Sequence, residues 1–412
     1  MSGEILFLAH RLPFPPNRGD KIRSHHILKA LAALAPVHVA TFADTPDDWA
    51  HEGDLAALAS SYSLVARSRP LIVAGCEALL RGEPVSITAF GSAALANYVE
   101  EVLRTGPISA IYVFSGQMGQ YVPEGFSGRL VVDLVDVDSA KFESYAAKGS
   151  GVRAWIDARE GRLLQAEEQR LANASAVTLL VSEAEADLLR SRLQGPAREK
   201  VRALGNGIDT VNFDPAAHMA EHPLEGEPGP HLVFTGQMDY APNIEAALRV
   251  IRHILPELRR EWPAARFHVV GRAPSKELLA HDGQGGVHIW GEVPDVRPFL
   301  AGADIAIAPL ALARGVQNKV LEAMAMACPV VLTPGAATGI GAQDGVHFCV
   351  GESDAELTQC VRAMLDDPAR AKAMGLAARQ FVVEQRGWEA MLADLPEIMG
   401  FPRPDKASRN AA

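Results

Sequence analysis

The sequence predicts an α/β protein built from two doubly wound domains with parallel sheets. Three observations carry this. Short apolar, β-branched runs alternate with helical patterns along nearly the whole chain, the mark of βαβ construction. The series appears twice, with a Gly/Pro-rich connection between its halves. The chain has 412 residues, more than the ~100–200 usual for one domain, and each half is long enough to bury a core of its own.

In the first series the strands are EILFLAH, VHVATFA, YSLVAR, AIYVFS, RLVVDLVD and VTLLVS. The helix KIRSHHILKALAAL follows the first of them, with Ile27, Leu31 and Leu34 on one face. The second series reads HLVFTG, RFHVVG, VHIWGEV, DIAIAPL, PVVLT and HFCVG, with helices such as NIEAALRVIRHILPELRREW between. The stretch EHPLEGEPGPH, 221–231, has the composition of an exposed linker, and NGIDTVNFDP lies just before it, so the domain boundary is expected here. We assign 1–205 to the first domain and 206–384 to the second. A helix at about 385–402 is free to pack back onto the first domain, and 403–412 is expected to be a frayed tail. Two such units facing each other would leave a cleft lined by the carboxyl ends of both sheets, where doubly wound folds bind ligands.

Composition removes several function classes. Hydrophobic residues make up 48% and charged residues 22%, which excludes disorder and fibrous architectures. A net charge of -11 argues against binding nucleic acid by broad phosphate neutralisation. The cysteines Cys76, Cys328, Cys349 and Cys360 are far apart without a CxxC pair, so neither a zinc site nor a disulfide is expected, and reduced, cytoplasmic thiols are the default. The start, MSGEILFLAH, lacks the basic and long apolar stretches of a signal peptide, and no run approaches ~18 apolar residues. Membrane contact would be peripheral, at the inner membrane. RSRPLIVAGCEALLRG, 67–82, mixes arginines with an apolar face and suits either an interfacial or a core-packed helix.

The stretch RGVQNKVLEAMAMACPVV carries the densest chemistry. Gly315 precedes a helix expected to start near Gln317, so free backbone N–H groups would offer a site for phosphate. Lys319 adds a cation there. Asn318, Lys319 and Glu322 share one helix face while Val320, Leu321 and Met324 pack elsewhere. A buried carboxylate needs a partner, and adjacent ribose hydroxyls can both donate to Glu322; the alternative is an intrahelical Lys319–Glu322 ion pair on a solvated surface. HRLPFPPNRGDKIRS brings Gly19 and Asp20 to the end of the first strand, where Asp20 is placed to cap the helix and Gly19 to let a substrate approach, unless this is an ordinary strand-to-helix turn. His10 and Arg11 sit at that strand end, whereas His25 and His26 fall within the helix. VDLVDVDSAKF places Asp133, Asp136 and Asp138 around another strand end. DVD suggests a metal site, but contacts to an acceptor hydroxyl or helix capping explain it better, and no metal is expected. GxGxxG after a first strand, GxxxxGK[ST] and GxSxG are absent, which disfavours dehydrogenase, P-loop and α/β-hydrolase readings.

Taken in order, LGNGIDTVNFDP, FTGQMDYAPN, FHVVGRAP, IWGEVPDVRPFLAGADIAIAPL and NKVLEAMAMACPVVLTPGAATGI resemble the family 4 retaining glycosyltransferases of GT-B fold. The resemblance covers almost the whole chain. HRLPFPPNRGDKIRS and VDLVDVDSAKF are similar to a narrower group, the sugar transferases of exopolysaccharide and PEP-CTERM/exosortase loci. The resemblance implies two Rossmann-like domains, the second binding a nucleotide-sugar and the first the acceptor. In the family two glutamates seven residues apart contact the donor; here the second matches Glu322 and the first position holds Arg314. The family often has an arginine after the glycine of FTG and a lysine further on, where this chain has Gln237, then Pro242 and Asn243. Lys319, Arg314 or Arg272 could supply the missing charge at the diphosphate.

The expected activity is transfer of a sugar, with retention, from a nucleoside diphosphate sugar to a saccharide or lipid-linked acceptor, without any cofactor beyond that co-substrate. The catalytic candidates are Lys319 and Glu322, with His10 and Asp136 orienting acceptor and sugar. Donor contacts are expected from Gly19, Gly236, Gln237, Arg272, Arg314, Gly315, Val316, Gln317 and Asn318, and acceptor contacts from Arg11, Asp20, Arg23 and Asp138. Two other functions stay open at this point: a nucleotide-sugar epimerase, which would consume donor without acceptor, and a non-catalytic sugar-nucleotide or polysaccharide binding subunit, which would bind without turnover.

Overall fold

The structure is a computed structural model that describes residues 3–217, 222–311 and 316–402, with only the backbone of Leu71. Strand β1 (Glu4–Ala9) shows what orders the first unit. Ile5, Leu6, Phe7, Leu8 and Ala9 have no solvent exposure, as a parallel strand covered on both faces demands. Beside it lie β2 (Val37–Ala43), β3 (Ser61–Ala66), β4 (Ile108–Phe114), β5 (Arg129–Val135), β6 (Val177–Leu180) and β7 (Val201–Ala203). All pair in parallel, in the order β3-β2-β1-β4-β5-β6-β7. Six of these strands match the expected runs, with β3 starting one residue and β4 two residues before the run read for it. The seventh, three residues at the sheet edge, is too short to show a pattern. The helices that matter below are α1 (Gly19–Ala32), α2 (Leu71–Arg81), α3 (Asp138–Lys148) and the 24-residue α4 (Gly151–Ala174).

The second unit runs from Gly207 to Met391. Its strands are β8 (His231–Thr235), β9 (Arg266–Val270), β10 (Val287–Gly291), β11 (Ile305–Ala308), β12 (Val330–Leu332) and β13 (Cys349–Val350), ordered β10-β9-β8-β11-β12-β13 and all parallel. Each lies within an expected run. Helices α5 (Ala241–Arg249), α6 (Asn318–Ala325) and α7 (Asp354–Asp366) flank this sheet, whereas α8 (Leu395–Met399) belongs to the first unit, as do the described residues from Leu392 onward. Two expectations are corrected. The stretch 222–231 is internal to the second unit, with Leu224 buried in its core, and the chain changes unit between Asn206 and Gly207. Gly and Pro mark turns, and this turn leads into β8 rather than between domains. Cys349 and Cys360 form a disulfide, because the turn from β13 into α7 brings their Cα atoms to 6.0 Å despite the absence of a CxxC spacing.

In both sheets the strand order reverses beside the first strand of the series, between β1 and β4 and between β8 and β11. Loops leaving the carboxyl ends of such a pair diverge to opposite faces and open a crevice. That rule locates one candidate region in each unit.

Two buried polar systems hold the units. In the first, Arg23 of α1 is 1% exposed and donates Nε to Asp133 Oδ2 of β5 at 2.9 Å, and Nη1 to Leu204 O at 2.7 Å and Asn206 Oδ1 at 2.9 Å. The Tyr112 hydroxyl of β4 donates to the same Asp133 oxygen at 2.8 Å. Arg23, expected on the acceptor side, is thus a structural residue, since its charge is spent on a carboxylate 110 positions away. In the second unit the Trp290 indole N–H donates to His268 Nδ1 at 3.1 Å. That fixes the tautomers: His268 Nε2–H donates to His231 Nδ1 at 3.0 Å, and His231 Nε2–H to Glu227 O at 3.1 Å. Burial, then the neighbouring histidines, depress the His268 pKa to about 3.

Removing Arg23 leaves Asp133 charged and buried, so Arg23→Leu should cost ~3–5 kcal/mol in urea denaturation, and Arg23→Leu with Asp133→Leu should recover much of it. A single variant within ~1 kcal/mol of the parent would contradict the assignment. His268 gives a pH signature. Its folded pKa lies below the ordinary 6.5, so the unfolded chain takes up a proton that the native one refuses. Stability from this group is complete above pH 6.5 and lost as pH falls toward 3. Near pH 5 the stability slope of His268→Leu should be shallower than the parent's by up to ~1.4 kcal/mol per pH unit; equal slopes would sink the idea.

Candidate functional site

At the second unit's switch point the loop after β8 begins with Gly236 and that after β9 with Gly271. Both have positive φ, 153° and 151°, and a Cβ on Gly271 would fall 1.6 Å from Gly236 O. Only bare backbone fits there. Gln237 and Arg272 follow these glycines, both exposed, and Arg272 Nη2 donates to Gln237 Oε1 at 3.0 Å.

Helix α6 enters the same region from β11. Gln317 is its N-cap residue and contributes no side-chain cap; Val316 before it and Asn318 after it are exposed. Arg314 and Gly315 lie outside the described residues. Val320, Leu321 and Met324 are buried against the sheet, as their spacing requires, leaving Lys319 and Glu322 on the flank. Lys319 Nζ donates to Asn243 Oδ1 at 2.5 Å and stands 4.6 Å from the Phe234 ring centroid. Asn243 Nδ2 in turn donates to Gln237 O at 2.8 Å. A Cβ on Gly236 would come within 3.0 Å of both Lys319 Nζ and Asn243 Nδ2, so the ammonium lies directly on the glycine loop. Lys319 therefore reaches the Asn243 position, where the family resemblance expects a different cation.

The Lys319–Glu322 ion pair allowed by the sequence does not form, because the ammonium is turned to Asn243. Among the described residues no side chain donates to the Glu322 carboxylate. Burial raises the Glu322 pKa, opposed by the Lys319 charge, and burial lowers that of Lys319 to about 8. A half-buried carboxylate and a half-buried ammonium one turn apart, with one hydrogen bond between them to protein, form a site with unused capacity for a ligand bearing both donors and negative charge.

In the first unit, His10, Asp44, Arg67 and Asp136 follow the carboxyl ends of β1, β2, β3 and β5. Arg11 Nη1 donates to Asp20 Oδ2 at 2.6 Å and Arg11 Nε to Asp44; Arg18 Nε reaches Asp20 Oδ1 at 3.0 Å and Arg67 Nε reaches Asp44 Oδ1 at 2.6 Å. Asp20 does not cap α1, which starts at Gly19 with Arg18 as N-cap. Burial would raise its pKa, but His10 and Arg11 hold it well below the usual carboxylate range. A side chain at Gly19 would meet nothing within 4 Å, so the loop is open there. His10 stacks on Phe114 with centroids 5.7 Å apart, keeps Nε2 3.5 Å from Asp20 Oδ2, and has a buried Nδ1 without a partner among the described residues. It is a positioned imidazole with a vacant ring nitrogen.

Asp136 is exposed, and Asp138 sits in the first turn of α3 with Lys141 Nζ at 3.5 Å. Burial raises the Asp138 pKa against the Lys141 charge. Neither caps α3. That loop is stapled from elsewhere: Glu168 of α4 accepts from Ser139 N at 2.9 Å and from the Ser139 hydroxyl, and Glu185 Oε2 accepts from Val137 N at 2.8 Å. Burial pushes Glu168 up to about 7. No group of three or more His, Cys, Asp or Glu side chains able to hold a metal occurs among the described residues. Sequence reasoning missed Asp44, Arg67, Glu168 and Glu185, since each acts on a partner over 20 positions away and leaves no local spacing signal.

Residues 229–367, which contain the whole Gly236–Glu322 constellation, match the model of the family described as glycosyl transferases group 1. Among curated proteins, the glycogen synthase of Mycobacterium tuberculosis is 26% identical over 264 residues, 62% of this chain and 61% of that protein. The alpha-maltose-1-phosphate synthase of Mycolicibacterium smegmatis is 24% identical over 254 residues, 55% of this chain and 62% of that protein. The chain thus spans less than two thirds of the length of these relatives. Among solved structures, HepE of Anabaena in complex with UDP superposes with a TM-score of 0.62 at 16% identity, over 96% of this chain and 98% of that one. WaaG, a glycosyltransferase involved in lipopolysaccharide biosynthesis, gives 0.58 at 18% identity, over 96% and 100%. At these identities the likeness is one of fold. The chain has the GT-B fold, two Rossmann-like α/β units with parallel sheets of seven and six strands.

Proposed function

We propose that the protein is a retaining glycosyltransferase of family 4, transferring a sugar from a nucleoside diphosphate sugar to a saccharide or lipid-linked acceptor in the cytoplasm, within exopolysaccharide biosynthesis. The observation that carries this is Glu322: a half-buried carboxylate with no donor among the described residues, one turn from an ammonium resting on a glycine loop at a sheet switch point. The family match over 229–367 supports it, and HepE, whose structures hold UDP and UDP-glucose, supports a uridine nucleotide as the first donor to try.

In this reading Glu322 accepts hydrogen bonds from both ribose hydroxyls. Lys319, the α6 N-terminus and Arg272 or Arg314 neutralise the diphosphate as the glycosidic bond breaks, which supplies most of the rate. The leaving phosphate oxygen takes the acceptor's proton, so no dedicated base is needed. His10 and Asp136 orient acceptor and sugar.

Calorimetry and initial rates test the assignments. Glu322→Ala removes two charge-assisted hydrogen bonds of ~1.5–3 kcal/mol each, so UDP affinity should fall at least ~10-fold with the fold intact. Lys319→Ala should damage turnover more than binding, because charge on the diphosphate grows toward the transition state. Rates measured in EDTA should persist, and NMR of the product should show the donor's anomeric configuration. If Glu322→Ala binds UDP as tightly as the parent, the ribose assignment fails; consumption of donor without acceptor would make the protein an epimerase instead.

Lys319 also gives a pH prediction. With a pKa near 8 it is largely neutral in the free protein above that pH, and a bound diphosphate restores its charge. UDP binding should then take up close to one proton at about pH 9 and little at about pH 7, with affinity weakening as pH rises. Calorimetry in buffers of different ionisation enthalpy reads the uptake, which Lys319→Ala should abolish.

A further inference from the structure

Helix α2 is built inside out. Its fully buried positions are Ala74 and Ala78, while Ile72, Val73, Cys76, Leu79 and Leu80 face solvent, Ile72 at 83% and Leu80 at 89% exposure. A helix of a soluble domain ordinarily turns its large apolar residues inward. Here they recur at i, i+4 and i+7 and form one outward stripe, so the core-packed alternative for 67–82 does not hold for them. The first turns of α4 repeat the pattern with Val152, Trp155 and Ile156, 76%, 56% and 44% exposed, at i, i+3 and i+4.

The two stripes adjoin. Arg159, one turn beyond Trp155, donates Nη2 to Ala78 O at 2.9 Å and Nη1 to Glu83 O at 3.1 Å, and Glu160 accepts from Val85 N at 2.9 Å and Ser86 N at 2.8 Å. The third turn of α4 is thereby pinned beside the end of α2, one turn from Trp155. Cations rim the apolar surface. The Arg81 and Arg153 side chains are 60% and 85% exposed, Lys148 is exposed, and Glu77 is spanned by Arg69 at 3.2 Å and Arg81 at 2.9 Å. The acids of this α4 segment, Asp157 and Glu160, are buried.

We propose that this face of the first unit docks the protein peripherally on a bilayer containing anionic lipids, with α2 lying in the plane of the interface and Trp155 beside it. The charge pattern selects this occupant. An apolar stripe rimmed by lysine and arginine, on a chain of net charge -11, matches anionic headgroups above acyl chains. A second copy would set the cationic rims against each other across a two-fold axis. The inference rests on the first unit's surface and stands apart from the donor assignments.

The test is co-sedimentation of the full chain, at low salt, with vesicles of phosphatidylcholine alone or mixed with phosphatidylglycerol. Binding should appear with the mixed vesicles, weaken with added salt, and fall about tenfold or more in Leu80→Ser with Trp155→Ser. Thermal denaturation of that variant should match the parent's, since neither side chain is buried. No binding to mixed vesicles, or equal binding by the variant, would overturn the proposal. So would a dimer in sedimentation equilibrium that the variant dissociates, which would assign the face to self-association.

Discussion

The Arg23–Asp133 ion pair is the constraint on which the first unit's arrangement rests. Its atoms come from α1, β5 and the segment where the chain leaves the unit, and Tyr112 adds β4. Ions of this kind are costly to desolvate, and the geometry offsets that cost by saturating both groups except Arg23 Nη2. The consequence for the site is positional. With α1 anchored through Arg23, its first turn holds Asp20 where Arg11, Arg18 and His10 converge, and β5 delivers Asp136 and Asp138 just beyond the anchored Asp133.

The second unit solves its own positioning problem with absent side chains. The carboxyl ends of β8 and β9 approach so closely that Gly271 admits no Cβ beside Gly236 O, and the space left above Gly236 is occupied by the Lys319 ammonium. Phe234 beneath and Asn243 beside it leave the charge half-desolvated, which depresses its pKa. A cation held this way is poorly solvated before any ligand arrives, so an anion that reaches it displaces little water.

How much of this was legible in the sequence follows from the range of each interaction. Buried parallel strands are apolar runs, so twelve of the strands could be read directly, and β7, three residues long, could not. The helical spacing of Lys319, Glu322 and the buried Val320, Leu321 and Met324 is local and was readable; that Lys319 would choose Asn243 over Glu322 was not, since α5 lies 76 positions earlier. The same limit explains Arg23, whose carboxylate is 110 positions away, and Asp20, whose resemblance to a cap concealed its arginines. The disulfide between Cys349 and Cys360 escaped because no spacing rule covers a strand, turn and helix that happen to bring two thiols together.

Helix α4 has a mechanical consequence. It is unbroken over 24 residues, with Trp155 near one end and Glu168, which grips the loop at Ser139, thirteen residues further on. At 1.5 Å per residue these lie about 20 Å apart along one axis. A rod does not let its ends shift independently along its length. Any axial slide that loosened the Ser139 loop would therefore carry the exposed aromatic end with it, and an axial load on that end would be felt at the loop, so the helix couples the two places as a strut does.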